Sequence, residues 1–277
     1  MIPYTSWLLV ILLAIAAVSF VFIYQDRFFY FPLHYSVAEV WAVKSIGVRQ
    51  LNFRTSQGNQ AAFFWRNRDS ETAPQNVWIL FGGNASVALG WIDLIRDFSA
   101  LDTGFLLVDY PGYGICEGKP DPESILENSE GAVRALEEQM HWHLGPETLG
   151  VLGHSLGGAA ALQFAARHAV HKIVLISPFT TMDDMVRGQI HISLGPLLRH
   201  KFDNVRTLKS ILSRNQNPQI TIFHGESDDL IPVKMGRALA QLEPGRIKFV
   251  EVRGAHHNDV IEPALSQGLQ APLPARR

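Results

Sequence analysis

Hydrophobic positions along the chain fall into three patterns. From Trp7 to Tyr24 they are almost continuous (WLLVILLAIAAVSFVFIY), and no charged side chain occurs between Met1 and Gln25. Such a run is about long enough for the ~20 helical residues that a hydrocarbon core requires. Tyr4 and Trp7 on one margin, and Tyr24, Phe28, Phe29 and Tyr30 on the other, suit the two interfaces of a bilayer. Residues 1–25 are therefore expected to form a single-pass N-terminal transmembrane helix. A cleaved signal peptide is the rival reading, since Ala14, Ala16 and Ala17 are small. No Lys or Arg precedes the run, however, and it stays apolar beyond those alanines. Arg27 follows the run, which by the positive-inside tendency favours a cytoplasmic position for what comes after.

The second pattern is alternation. Gly47 to Arg54 and Gln60 to Arg66 alternate apolar and polar residues around Ser56-Gln-Gly-Asn59, which reads as a β-hairpin. The third is a series of short apolar runs: 77–81, 105–108, 149–152, 173–176, 220–223 and 247–250. Runs of this length suit strands buried on both faces. Helical stretches separate them, the clearest from Asp121 to about His141, with Asp121 as cap, Pro122 in the first turn, and Val133, Leu136 and Met140 on one face. Repeated strand–helix alternation predicts an α/β domain with a mostly parallel sheet and helices on both faces. Its active groups belong at the carboxyl ends of the strands. The organisation expected is an anchor over 1–25, a catalytic domain over 28–262 and a fraying, Pro-containing tail over 263–277.

A chain of 277 residues with 47% hydrophobic content is long enough for one such domain with a substantial core. Its 24 basic and 26 acidic residues leave a net charge of -2, which provides no general field for nucleic acid. The single cysteine, Cys116, excludes an internal disulfide and a cysteine cluster for zinc. His141 and His143 stand at a helix end without nearby partner ligands, so neither a metal nor a cofactor is expected.

The segment that carries chemistry is Leu149-Gly-Val-Leu-Gly-His-Ser-Leu-Gly-Gly158. Within it Gly153-His-Ser-Leu-Gly157 matches G-x-S-x-G, between an apolar strand and the Ala-rich stretch 159–169, the context in which that motif forms a nucleophile elbow. A sharp strand-to-helix turn brings the backbone close at 153 and 157, where only glycine fits, and lifts the Ser155 hydroxyl clear of the sheet. A serine needs a base, and the base an orienting acid, supplied in this fold in the order Ser, acid, His. Two later segments offer both: Phe223-His-Gly-Glu-Ser-Asp-Asp-Leu-Ile-Pro232 and Val252-Arg-Gly-Ala-His-His-Asn-Asp259. Thr180 and Thr181, with Asp183 and Asp184 three residues later, resemble helix-capping pairs instead. Asp109 reads as a hydrogen-bonding support at a strand end.

With these motifs the chain resembles the α/β-hydrolase superfamily over roughly residues 28–262, in particular its membrane-anchored ABHD-type and serine-aminopeptidase-like branch. The family's H-G-x-x-D-x-x-x-P is matched by His224, Gly225, Asp228 and Pro232, which implies Asp228 rather than Asp229 as the acid. Its G-A-G-H-N-D is matched by Gly254, Ala255, His257, Asn258 and Asp259, with His256 in place of glycine, which implies His257 as the base. Asp109-Tyr-Pro-Gly-Tyr-Gly114 is similar to D-Y-R-G-Y-G, with Pro111 for arginine. The oxyanion hole is expected from the backbone N–H of Leu156 and one N–H of the loop Gly82-Gly-Asn-Ala-Ser86. That loop is similar to H-G-N-A-G with Gly82 in place of histidine, and Asn84 is its donor.

These features favour a serine hydrolase acting on acyl esters or thioesters, with a small or lipid-like substrate held near a membrane. An amidase or aminopeptidase would use the same triad, and a non-catalytic tethered binding module would merely keep the fold. Residues 178–218 are the room available for a lid, and Ile190, Ile192, Leu194, Leu197 and Leu198 make it apolar, which favours acyl esters.

Overall fold

The computed structural model describes residues 4–67, 72–98, 102–214 and 217–269. The initial apolar run forms α1 (Tyr4–Ile23), followed by the short α2 (Gln25–Phe29) and α3 (Val37–Lys44), where Ser36 and Glu39 make a reciprocal capping box. The alternating segments form β1 (Arg49–Thr55) and β2 (Gly58–Arg66), paired antiparallel across a tight turn at Thr55 and Gly58. The rest alternates: β3 (Asn76–Phe81), α4 (Ile92–Phe98), β4 (Thr103–Val108), α5 (Pro122–Met140), β5 (Leu149–His154) and α6 (Leu156–Arg167). Then come β6 (Lys172–Ile176), α7 (Met182–Ile190), α8 (Asn204–Leu212), β7 (Gln219–Gly225), α9 (Val233–Ala240), β8 (Ile247–Val252) and α10 (Ile261–Gly268).

These strands make one sheet of eight in the order β1-β2-β4-β3-β5-β6-β7-β8. β1, β2 and β4 pair antiparallel, and every pairing from β4 through β8 is parallel. The six apolar runs are all strands; β3 to β6 are buried because helices cover both faces, whereas in the edge strand β8 only Ile247 is buried. On one face Leu136 of α5, Leu162 and Phe164 of α6, Leu208 of α8 and Leu239 of α9 pack over the sheet. On the other, Trp91, Ile92, Ile95 and Leu265 do so. Asp121 caps α5, its carboxylate accepting from the N–H groups of Glu123 and Ser124 at 2.8 Å, and Pro122 opens the helix where no N–H is needed.

Three expectations about organisation change. Among the described residues no helix is long and apolar enough to cross a membrane. What replaces the expected transmembrane span is the helix α1, of whose described side chains Trp7, Ile11, Leu13, Ile15 and Phe20 are exposed. The boundary at 25 also moves, because Gln25 is 1% exposed and packs with the α/β body. At the other end the expected tail over 263–277 includes most of α10, whose Ala264 and Leu265 are fully buried against α4 and β6. The apolar period of 261–268 closes the core, and residues 270–277 lie outside the described residues.

At the end of β5 the chain turns into α6 under a steric constraint. A Cβ on Gly157 would stand 2.0 Å from the Phe81 carbonyl oxygen, and one on Gly153 2.1 Å from the Gly157 carbonyl oxygen. Both obstacles are backbone, which cannot swing aside. Gly157→Ala is therefore expected to destabilise the fold by more than about 3 kcal/mol. Gly188→Ala, where nothing stands within 4 Å, serves as the control. Denaturant midpoints measured on both variants check this.

Candidate active site

The parallel strands end at a common level, with Phe81 opposite Gly153, His154 opposite Ile176, Ile176 opposite Phe223, and Gly225 opposite Val252. The loops that leave these ends bring the expected residues into one neighbourhood. Ser155 stands in the turn from β5 to α6 with φ 55 and ψ -117, a conformation side-chain-bearing residues rarely adopt, and it is held there by its N–H bonding to the Ile176 carbonyl at 2.8 Å. Leu156 is the first residue of α6, so its N–H belongs to the set a helix cannot satisfy internally. The loop after β3 lies against this turn: a Cβ on Gly83 would be 3.5 Å from Ser155 Cβ and 2.9 Å from His154 Nδ1.

Asp228 and His257 meet in a buried pair. His257 Nδ1 is 2.9 Å from Asp228 Oδ2, and the two residues are 8% and 7% exposed. The other Asp228 oxygen accepts from the N–H groups of Leu230 at 3.1 Å and Ile231 at 2.8 Å. His224, fully buried, has its Nε2 2.8 Å from the Ile231 carbonyl and 3.3 Å from Asp228 Oδ2. Burial pushes the Asp228 carboxyl up, but the hydrogen bonds from His224, His257 and the Ile231 N–H outweigh it and hold the group well below the usual carboxylate range. Asp228 is thus a fixed anion that orients the His257 ring. One residue after Asp228 and one before His257, Asp229 and His256 face each other at 3.8 Å with most of both side chains in solvent. The register that buries Asp228 and His257 turns their neighbours outward.

Ser155 Oγ makes no hydrogen bond among the described residues, to His257 included. Empty serine sites commonly leave this contact long and tighten it around substrate. The neighbourhood is set instead through His154, whose ring lies 4.8 Å from that of His257, centroid to centroid, and 6.3 Å from Trp91. Burial first, and the adjacent His257 second, push the His154 pKa down to about 3, so it is a neutral packing ring.

The loop after β3 is braced from behind. Asp109, at the end of β4, accepts from the Ala88 N–H at 2.8 Å and the Tyr35 hydroxyl at 2.7 Å, and Tyr35 accepts from the Leu89 N–H at 2.9 Å. Burial raises the Asp109 carboxyl to about 6 against those bonds. Asp109 therefore supports the loop, as its strand-end position suggests. Thr181 caps α7 through the Asp184 N–H at 2.9 Å and the Thr180 hydroxyl donates to the Asp184 carboxylate at 2.6 Å, so Asp184 serves helix initiation, whereas the Asp183 carboxylate binds the segment at 193–195. Cys116 is buried with its thiol pushed up to about 12, so it is no nucleophile. Among the described residues no group of three His, Cys, Asp or Glu side chains is placed to hold a metal.

The motifs do not reveal three contributors. Gln25 reads as the margin of the apolar run, and Tyr113 lies inside a resemblance matched at Asp109 and the glycines. His224 is matched as a motif letter without its second contact to Asp228. For Gln25 the one available signal is that it is the first strongly polar residue after eighteen apolar or small ones.

This arrangement of sheet, elbow and strand-end loops is the α/β-hydrolase fold. The family model described as "Alpha/beta hydrolase family" matches residues 79–211. The chain is similar to an uncharacterized protein of Mycobacterium tuberculosis, 28% identical over 91% of this chain and 86% of the relative. It is also similar to the human alpha/beta hydrolase domain-containing protein 17B, 29% identical over 75% of this chain and 68% of that protein. Among solved structures, an esterase of Pyrococcus furiosus superposes with a TM-score of 0.64 at 16% identity, covering 86% of this chain and 95% of the other. The esterase domain of a Rhodothermus marinus protein gives 0.57 at 20% identity, covering 80% and 95%.

His154 makes a pH prediction with a definite sign. Its folded pKa lies below the unfolded value of ~6.5, so its contribution is fully present above that value and is lost as pH falls toward about 3. Asp109, raised to about 6, acts oppositely between the unfolded ~3.9 and its own value. The clean measure is therefore the difference between wild type and His154→Gln. That difference should shift by roughly 1.4 kcal/mol per pH unit against the wild type as pH falls from 6.5 to 4.5. Urea denaturation of both proteins across that range checks it.

Proposed function

We propose that the protein is a serine hydrolase that cleaves acyl esters or thioesters through an acyl-enzyme, with Ser155 as nucleophile, His257 as base and Asp228 as orienting acid. The observation that carries this reading is the buried 2.9 Å contact of His257 Nδ1 with an Asp228 held as an anion, beside a serine forced into the elbow conformation. In the proposed reaction Ser155 Oγ attacks the acyl carbonyl carbon and its proton passes to His257 Nε2. The charge that develops on the carbonyl oxygen is received by the N–H groups of Leu156 and Asn84. His257 then gives the proton to the leaving oxygen or sulfur as that bond breaks. In the second half water repeats the attack, His257 takes its proton and returns it to Ser155 Oγ. Asp228 stays ionised throughout and stabilises the imidazolium.

The segment between β6 and β7 supports an acyl rather than a peptide substrate. Ile192 and Leu197 are exposed there and Leu198 is buried, whereas an aminopeptidase would require an acidic grip on the substrate amine. Asp183, an acid of this segment, is already engaged by Ser193 at 2.6 Å and by the N–H groups of Leu194 and Gly195 at 3.0 Å. We further propose that α1, with its exposed apolar side chains and no charge, seats the enzyme against the apolar part of a membrane.

Ser155→Ala should lower turnover of a short-chain ester by on the order of 10⁴-fold with the fold intact, and His257→Ala should be as severe. His256→Ala and Asp229→Asn should stay within about twofold, because an exposed pair contributes little. Wild-type protein that neither turns over esters nor labels at Ser155 with a fluorophosphonate sinks this reading. For the membrane proposal, the full-length chain should remain in the pellet after high-salt and carbonate washes, which remove charge-held proteins but leave buried apolar helices in place. Release by carbonate would overturn it.

A further inference from the structure

The connection between α1 and β1 sends its polar atoms to two places, the segment before α8 and the loop after β3. Gln25 Nε2 donates to the Leu197 carbonyl at 2.6 Å, and its Oε1 accepts from the Arg199 N–H at 2.8 Å. This side chain thereby satisfies one acceptor and one donor of the apolar segment before α8, much as a neighbouring strand would. Four residues further on, the Asn84 amide fits between two backbone groups of the same connection. Its Nδ2 donates to the Phe29 carbonyl at 3.0 Å and its Oδ1 accepts from the Phe31 N–H at 2.9 Å. The hydroxyl of Tyr113, a fully buried residue, donates to Asn84 Oδ1 at 2.7 Å and accepts from the Phe31 N–H at 3.1 Å. Asn84 Oδ1 also accepts from the Ala85 N–H at 3.1 Å, next to the left-handed φ of 52 at Ala85. Tyr30, buried between these contacts, places its hydroxyl 3.3 Å from His200 Nδ1.

The backbone N–H of Asn84 is the second donor in the proposed oxyanion hole, and only Cα and Cβ separate it from the amide that the connection grips. A transition-state donor acts through placement to within a fraction of an ångström. We infer that Phe29–Phe31 is a strap that sets the oxyanion loop, with the Asn84 amide and the Tyr113 hydroxyl as positioning residues, so that the catalytic geometry depends on the segment leading from α1. This inference rests on the serine-hydrolase reading. It differs from a purely structural role for the same bonds in what it does to kinetics: loosening the strap displaces a donor that is used in the transition state, so the loss falls on kcat rather than KM.

The experiment uses the full-length chain with Tyr113→Phe, Asn84→Ala and the double variant. Asn84→Ala keeps the backbone N–H, so any loss reports its placement. Steady-state kinetics on a short, water-soluble ester, together with thermal unfolding, are measured for each. Each single variant should lose about tenfold in kcat, less than the ~10²-fold or more that follows loss of a whole donor, with KM within about twofold. The double variant should be no worse than the weaker single, because both act through one bridge. Wild-type kcat in Tyr113→Phe and Asn84→Ala overturns the strap, as does a loss confined to KM or a double variant whose losses multiply. Should Asn84→Ala not fold, Tyr113→Phe, which changes only one hydroxyl, decides alone. An inactive wild type that also escapes fluorophosphonate labelling is the separate failure of the hydrolase reading and takes the strap with it.

Discussion

The site depends on how closely two stretches of backbone approach where β5 turns into α6. Gly157 lies so near the Phe81 and Gly82 carbonyls that no Cβ fits, and Gly153 is equally close to Gly157. That contact leaves Ser155 a single path through the turn, at positive φ, and brings the loop after β3 within van der Waals reach of it. Ser155, the proposed nucleophile, and the loop proposed to receive the oxyanion are therefore placed by one packing event. A residue with any side chain at 157 would separate them.

Asp228 and His257 are positioned by a different principle. Asp228 is buried, and such a carboxylate persists as an anion only if its oxygens are saturated with donors. Two N–H groups of its own turn, His224 and His257 supply them. The His257 ring is thus aligned by the same bonds that keep Asp228 ionised. One residue away in each loop, Asp229 and His256 have the same chemistry in solvent, where it lacks that stabilisation.

Much of this was legible in the chain because it obeys local rules. Six apolar runs are strands, the inner ones because a parallel sheet covered by helices buries both faces, and G-H-S-L-G reads as an elbow because its glycines stand where sterics demand them. Choosing Asp228 and His257 over their neighbours took the resemblance, since burial that separates 228 from 229 depends on tertiary register. What could not be read lies in contacts between distant segments. The polarity of Gln25 says nothing of a bond to Leu197, 172 positions away, and the period of 261–268 does not tell a surface helix from one packed on α4 and β6. The apolar run over 7–24 marks a helix, but a hydropathy pattern alone does not establish that it crosses a bilayer.

The order of the elements also bears on how the site is assembled during synthesis. Ser155 and the turn that holds it require only strands β3 to β6, all made in the first two thirds of the chain. His257 follows β8, the edge strand paired only with β7, and just before α10, whose buried Ala264 and Leu265 complete one side of the core. A chain emerging from the ribosome amino-end first therefore has Ser155 in place before the segment that carries His257 is made. Under the proposed triad, a chain cut short before β8 would have an ordinary alcohol at Ser155 in place of a nucleophile.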